Sequence, residues 1–475
     1  MKKLKVLFAS AEVVPFSKVG GLADVVGELP IYLERGENCE IAIFTPLYGC
    51  IDEEKWGIEE LPNSTLTMNM GHSRHIFKLK KCTLPGSKNI NVFFVDNPKY
   101  FSCFNVVYPE WVDEMYEQQR YVSFSLAILE YAKLLNFKPD VIHANDWHTA
   151  MLPTYLKSNY KYDKFFENTK TVFSIHNLAY QGACDSEIID FANMRWDNVF
   201  NDNCIEHYGK VNWVKGAIIN ADKILTVSPR YAREILGGDF GEGMDYTLRG
   251  QTHKLQGILN GTHYDKKPFD ITKKPALKAK MQKMFGLSEN PKRPLIAMIS
   301  RMVHQKGLGL IDFAKSKLMK IPADFVFLGT GEFGYERMLI WTSNNSSNIR
   351  AWVDFKEDLS NELYQASDMF LMPSLFEPCG ISQMVALKYG SIPIVRAVGG
   401  LDDTIVAYPN ENANGFKFLT YDAQSMVNEI KKAVWTYYDR KDDFNKLIQN
   451  ALKSRFSWED SAKKYREAYD SLFVV

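Results

Sequence analysis

The chain has 475 residues, with Lys plus Arg and Asp plus Glu both at 57 and 46% of positions hydrophobic. That length exceeds one ordinary hydrophobic core and predicts two domains of about 200 residues each. The balanced charge provides no global field for nucleic acid or an anionic membrane, and leaves room only for a local basic site.

The N-terminal MKKLKVLFASA has the basic start and apolar run of a leader, but Glu12, Pro15 and Lys18 break the run, and it reads as a first β-strand. No apolar stretch is long enough for a bilayer span, so no membrane partner is expected. The seven cysteines (Cys39, Cys50, Cys82, Cys103, Cys184, Cys204, Cys379) include no CxxC pair. Scattered and odd in number, they suit free thiols in a reducing cytoplasm.

In chain order, β-branched and aromatic runs predict strands at 5–10, 39–46, 91–96, 140–145, 170–176 and 223–228. Helical spacing of apolar residues marks 117–136. The pattern restarts after LQGILNG (255–261), with strands at 294–301, 324–331, 350–355, 368–374 and 391–397. Such alternation predicts an α/β protein of two Rossmann-like, doubly wound parallel-sheet domains facing across a cleft, with ligands at the carboxyl ends of the strands.

Loops at those strand ends carry the chemistry. In FSKVGGLADVVGELP (16–30), Gly20 and Gly21 allow close backbone approach, and Lys18 with a helix start near Leu22 suits a phosphate. HANDWH (143–148) offers His143, Asp146 and His148, in a spacing that matches no strong zinc signature. Asp146 is either a helix N-cap or a substrate contact. In SIHNLAYQG (174–182), His176 ends a strand, as a structural histidine or as a ligand contact. SRMVHQKG (300–307) presents Arg301 and Lys306, two cations able to hold a diphosphate. In SLFEPCGISQMVALKYG (374–390), a helix expected from about Gly380 to Lys388 would turn its first-turn N–H groups and Ser382 toward a second set of phosphate oxygens. GGLDDTI (399–405) repeats the recipe. Phosphate-friendly groups on both domains, plus a histidine and a carboxylate, favour a nucleotide-sugar; the first turn lacks the GxGxxG of a dinucleotide site.

Taken together, SKVGGLADVVGELP, HANDWHTAMLP, SIHNLAYQG, LTVSPRYAREI, LQGILNG, SRMVHQKGLGL, LMPSLFEPCGISQM, VGGLDDTI and FSWEDSAKKY run almost end to end. In this order they resemble the bacterial and plant-type glycogen or starch synthases, retaining glucosyltransferases of the GT-B architecture. The resemblance implies transfer of glucose from ADP-glucose to the non-reducing 4-hydroxyl of an α-1,4-glucan or glycogen, in the cytoplasm, without cofactor or metal. It implies an acceptor-side domain over 1–257, a donor-side domain over 258–455, and a helix at 456–475 that packs back on the first. By the same resemblance, Lys18, Gly20 and Gly21 meet the diphosphate or sugar, Asp146 shapes the sugar and acceptor site, and His176 bonds the glucosyl group. Arg301 and Lys306 neutralise the diphosphate, Glu377 orients the glucose hydroxyls, and Cys379, Gly380, Ile381 and Ser382 line the donor through backbone groups. Phe355 stands where the family often has an aromatic against adenine. Retention would follow a front-face route, with the departing phosphate receiving the acceptor proton and domain closure excluding water.

Against the family pattern, His263 replaces a customary acid, Leu375 an arginine and Val385 a tyrosine, which bears on donor preference, and Met115–Arg120 lacks the typical Asp-Asn pair. The alternatives are a related retaining transferase using UDP-glucose or another acceptor, or a weakly active glucan-binding regulatory homologue.

Overall fold

The computed structural model describes residues 3–265, 267–354 and 356–474. The chain divides into two compact units: Met1–Val227, Ala232–Gly261 and Trp458–Val475 form one, Ser228–Tyr231 and Thr262–Ser457 the other.

The first unit is built on seven parallel strands: β1 (Leu4–Ala9), β2 (Cys39–Pro46), β3 (Asn91–Asp96), β4 (Val141–Asn145), β5 (Lys170–Ile175), β6 (Lys223–Thr226) and β7 (Leu255–Gly257). Their order is β3-β2-β1-β4-β5-β6-β7. Most are continuous apolar runs, buried on both faces as a helix-covered parallel sheet requires. Helix α1 (Gly21–Gly36) follows β1. Helix α2 (Glu114–Leu134) precedes β4, and its N-cap Asp113 accepts from the Tyr116 N–H at 2.7 Å.

The second unit repeats the plan with β8 (Leu295–Ile299), β9 (Asp324–Gly329), β10 (Ile349–Val353), β11 (Met369–Met372), β12 (Ile392–Arg396) and β13 (Phe416–Phe418). The order is β10-β9-β8-β11-β12-β13, all parallel. In both units the strand order reverses direction beside the first strand, so the loops after β1 and β4, and after β8 and β11, flank a topological switch point. Doubly wound sheets bind ligands there.

The sheets are not wholly parallel, as the sequence reading expects. Ser73–Thr83 pairs antiparallel with β3, and Leu66–Met70 and Glu59–Glu60 pair antiparallel with it in turn. This ribbon alternates buried and exposed residues, the exposed ones mostly polar, and so lacks the apolar run that marks the inner strands. Ala183–Cys184, Glu206–His207 and Lys210–Asn212 form a small antiparallel sheet of their own. β7 and β13 are too short to register as strands in sequence.

The last helix, α3 in order of introduction (Trp458–Asp470), belongs to the first unit. Its Tyr469 hydroxyl meets His143 Nδ1 at 2.7 Å, its Ser461 hydroxyl donates to the Leu259 carbonyl at 2.7 Å, and Arg466 donates to the Glu37 carbonyl behind α1.

Candidate active site

In the first unit, the chain leaving β1 bends back so that the Glu12 carboxylate lies beneath the glycine loop. One oxygen accepts the N–H groups of Val19 at 2.6 Å and Gly20 at 2.8 Å; the other accepts the Tyr108 hydroxyl at 2.7 Å. The Gly20 N–H, part of the backbone expected to approach the donor, is therefore held by the protein's own carboxylate. Lys18 is exposed and pairs with Asp24, one turn into α1, at 2.7 Å. A Cβ added at Gly20 or Gly21 would meet nothing within 4 Å, and Gly20 has an ordinary extended φ of −137°. The fold itself does not demand glycine at these positions; their effect is to leave the surface open.

At the ends of β4 and β5 the polar groups are buried, Asp146 against backbone N–H groups and the histidines against side chains. Asp146 sits at a positive φ of 55° and makes no cap bond. Its Oδ1 instead accepts the N–H of His176 at 2.7 Å and of Asn177 at 3.3 Å, so the N-cap alternative gives way to a brace between two strand ends. Burial pushes the Asp146 carboxyl up to about 7, against the two N–H donors and with a smaller push from Glu12. Burial pulls His176 down to about 3, so its ring is neutral. Its Nε2 faces Asn145 Oδ1 at 3.0 Å, while the Asn145 amide donates to the carbonyls of Ala9 and His143. That assignment puts the proton on Nε2 and leaves Nδ1 as an acceptor for a hydroxyl.

The other two residues of the HANDWH loop diverge from Asp146. His143 is fixed between Tyr469 and Ser174, and His148 stacks on Tyr108 with ring centroids 5.2 Å apart. Burial holds both at about 3. Among the described residues, no group of three or more His, Cys, Asp or Glu side chains is arranged to hold a metal ion, and no helix is long and apolar enough to cross a membrane.

In the second unit, Arg301 and Lys306 follow β8 and line a cavity of about 190 Å³ together with Ser374 and Ser382. Arg301 is exposed, and no described residue hydrogen-bonds or pairs with its side chain. Glu377, only 6% exposed, accepts Lys306 Nζ at 2.7 Å and the Ser374 hydroxyl at 3.0 Å on one oxygen. The two motifs thus meet as a charged pair, which their separate strand-end positions do not by themselves dictate.

Glycines pack the backbone of this loop tightly. Gly307 has a φ of 80°, and a Cβ there would lie 2.1 Å from the Pro373 carbonyl oxygen. At Gly399 and Gly400 a Cβ would lie 2.0 Å from the carbonyl oxygens of Glu377 and Cys379 respectively. The GGLDDTI segment is therefore a clamp on EPCG, not a second phosphate loop: the Gly400 N–H donates to the Glu377 carbonyl at 3.1 Å. Its acids are engaged too, Asp402 with Lys417 at 2.7 Å and Asp403 with the Ser228 hydroxyl at 2.6 Å.

The helix after EPCG starts later than expected. Gly380 adopts a left-handed φ of 70°, Ile381 is the N-cap and the helix spans Ser382–Lys388. The fully buried Gln383 amide donates to the carbonyls of Cys379 at 3.1 Å and Gly380 at 2.9 Å, bracing the turn. Ser382 opens that helix and lines the same cavity as Arg301 and Lys306. Phe355 lies outside the described residues. Of the departures, His263 is exposed, and the acid two residues on, Asp265, pairs with Lys388 at 2.8 Å. Leu375 is half-buried; its carbonyl accepts from Arg396. Val385 lies inside the Ser382–Lys388 helix, and Arg120 is fully buried among aromatic rings.

Sequence reasoning missed Glu12, Tyr108, Asn145 and Gln383. An acid three residues past a buried strand was a usable signal for Glu12; nothing local marks Tyr108.

Comparisons with known proteins agree with this arrangement. The family described as "Starch synthase catalytic domain" matches residues 5–250, and "Glycosyl transferases group 1" matches 280–454. The glycogen synthase of Thermosipho melanesiensis is 41% identical over 98% of both chains. That of Clostridioides difficile is 40% identical over 98% of this chain and 99% of its own. The catalytic domain of starch synthase IV from Arabidopsis thaliana, solved with ADP and acarbose, superposes with a TM-score of 0.89 at 30% identity over 99% of each chain. Sucrose-phosphate synthase from Thermosynechococcus elongatus, at 17% identity and a TM-score of 0.58, shares the fold. The chain belongs to the glycogen and starch synthase family, retaining glucosyltransferases built of two Rossmann-like domains.

Proposed function

We propose that this protein is a glycogen synthase that transfers glucose from ADP-glucose to the non-reducing 4-hydroxyl of an α-1,4-glucan, with retention of configuration. The observation that carries the reading is the Lys306–Glu377–Ser374 constellation, of which Lys306 and Ser374 line one small cavity with Arg301. Arg301 and Lys306 supply positive charge for a diphosphate whose bridging oxygen becomes anionic as the glycosidic bond breaks. Glu377, held by Lys306 and Ser374, orients the glucose hydroxyls. The donor lines against the backbone of Cys379, Gly380, Ile381 and Ser382.

The first unit is assigned the acceptor, with Asp146 shaping that site. His176 accepts a hydroxyl of the glucosyl group on Nδ1, and Lys18 with Gly20 and Gly21 serves the donor. The departing phosphate takes the acceptor proton, so no enzyme nucleophile is required, and none of these residues is assigned to a cofactor. The cytoplasm is the assigned compartment.

The test is transfer from radiolabelled ADP-glucose or UDP-glucose to a malto-oligosaccharide, without added metal. Chain extension from ADP-glucose is expected. Extension from UDP-glucose alone would overturn the donor, and extension from neither would favour a regulatory glucan-binding role.

A further inference from the structure

Glu12 has no part in the reaction described above, yet it is one of the most deliberately held carboxylates in the first unit. It is 4% exposed and meets three neutral donors: the Val19 and Gly20 N–H groups and the Tyr108 hydroxyl. No lysine or arginine among the described residues pairs with it. A buried carboxylate without a counter-cation is costly unless such donors surround it, and in return it fixes their geometry.

Tyr108 is itself held in place. Its ring stacks on His148 at an interplanar angle of 22°. The preceding carbonyl, that of Val107, accepts Arg120 Nη2 at 3.0 Å, and the Tyr100 carbonyl accepts Arg120 Nε at 2.8 Å. Arg120 is fully buried in α2, within 6 Å of the ring centroids of Tyr48, Phe101, Phe104 and Tyr121. A continuous line of contacts therefore runs from α2 through the loop before it to Tyr108, to Glu12, and to the amides of Val19 and Gly20.

We propose that Glu12 and Tyr108 are positioning residues for the Lys18–Gly21 loop and thereby set the affinity for the nucleotide-sugar. Their role rests on the reading that this loop serves the donor. Because Glu12 occupies the Val19 and Gly20 amides, the loop offers the donor its open glycine surface and Lys18, not those two N–H groups. Loss of Glu12 would free the amides but release the loop from its shape.

Three variants grade the effect. Y108F removes one hydroxyl and keeps the stacked ring. E12Q keeps an acceptor oxygen for the amides and a polar end for Tyr108; E12A removes both. The KM for ADP-glucose and the Kd for ADP are expected to rise about tenfold in E12A and about threefold in Y108F, with E12Q nearer the wild type. The KM for glucan stays unchanged, and E12A/Y108F is no worse than E12A, because both act through one contact. Amide exchange at Val19 and Gly20, slow in the wild type, becomes fast in E12A. A folded E12A with wild-type donor affinity, or one that raises the glucan KM instead, overturns the proposal, as does unchanged exchange at both amides. If the wild type bound ADP yet transferred nothing, the proposed activity would fall. ADP affinity and amide exchange would still decide the positioning role.

Discussion

The two units share a strand order and place their strand-end loops alike, but they treat charge in opposite ways. In the first, His143, His148 and His176 are each buried and pulled down to about 3, and Asp146 is pushed up to about 7. Desolvation keeps the three imidazoles and the Asp146 carboxyl close to neutral. The imidazoles pack against side chains and Asp146 against backbone N–H groups, with Glu12 as a buried anion beside them. In the second, Arg301 stands in solvent and Lys306 and Glu377 face each other as ions beside a cavity. A desolvated array of neutral acceptors matches sugar hydroxyls, and fixed cations match a diphosphate. The shared topology positions the loops; the side chains placed on them decide which half of a nucleotide-sugar reaction each can serve.

The sharpest way to break that contrast is to remove the ion at the centre of the second unit. E377A leaves Lys306 facing the cavity without its partner, and unpairing one member of a buried ion pair typically costs about 3–5 kcal/mol. Because Glu377 is assigned to orient the reacting sugar, kcat should fall on the order of 100- to 1,000-fold, with the circular dichroism spectrum unchanged. A near-wild-type kcat would remove Glu377 from the reaction.

Next comes a change that alters no charge. In G400A the new Cβ would lie 2.0 Å from the Cys379 carbonyl oxygen, so the EPCG loop must move. A displacement of about 1 Å can cost about 100-fold in rate, and that is the expected loss. G21A is its counterpart in the first unit, where the added methyl meets nothing within 4 Å. There the melting temperature should hold, and any effect should appear in the KM for the donor. Equal loss of stability in both variants would show that the two glycine pairs do the same work.

Acid should separate the units by stability. Each buried imidazole stays neutral in the fold down to about 3 but takes a proton near 6.5 once unfolded. Stability from these groups is complete above about 6.5 and is lost as pH falls toward 3. Asp146 acts in reverse: its contribution is complete below its usual 3.8 and is lost as pH rises toward 7. With three histidines against one carboxyl, the first unit should loosen first between pH 6 and 4, whereas the second unit's His263 and His304 are exposed. Amide exchange followed along that pH series reads the order directly, and simultaneous loss in both units would contradict it.

Much of this was legible in sequence because buried parallel strands are apolar runs: β2 and β3 fall where their residues predict. The Ser73–Thr83 ribbon was not, because buried apolar positions alternate there with exposed, mostly polar ones. In the site, Glu377 and Lys306 could be named from their loops, but their 2.7 Å pairing depends on β8 and β11 being neighbours, a fact of topology. Glu12 and Tyr108 are 96 residues apart, so no local pattern joins them. The role of Gly399 and Gly400 was misread for a similar reason: a glycine pair before a helix looks the same whether it faces a ligand or a neighbouring carbonyl.

The smallest expected effect tests the residue most conspicuous in the sequence. Cys379 is 5% exposed, and what it supplies to the loop is its carbonyl, which accepts Gln383 Nε2 and lies where Gly400 leaves room. Alanine keeps that carbonyl and removes only the sulfur, a small loss of packing volume worth about 1 kcal/mol. C379A should therefore retain kcat within about threefold, because a reactive cysteine needs an accessible thiolate and this one is buried. An alkylating reagent should reach exposed Cys50 and Cys103 well before it reaches Cys379. A loss in C379A as deep as that in E377A would mean that the thiol itself touches the reacting sugar. The division between a carboxylate that orients and a backbone that lines would then have to be redrawn.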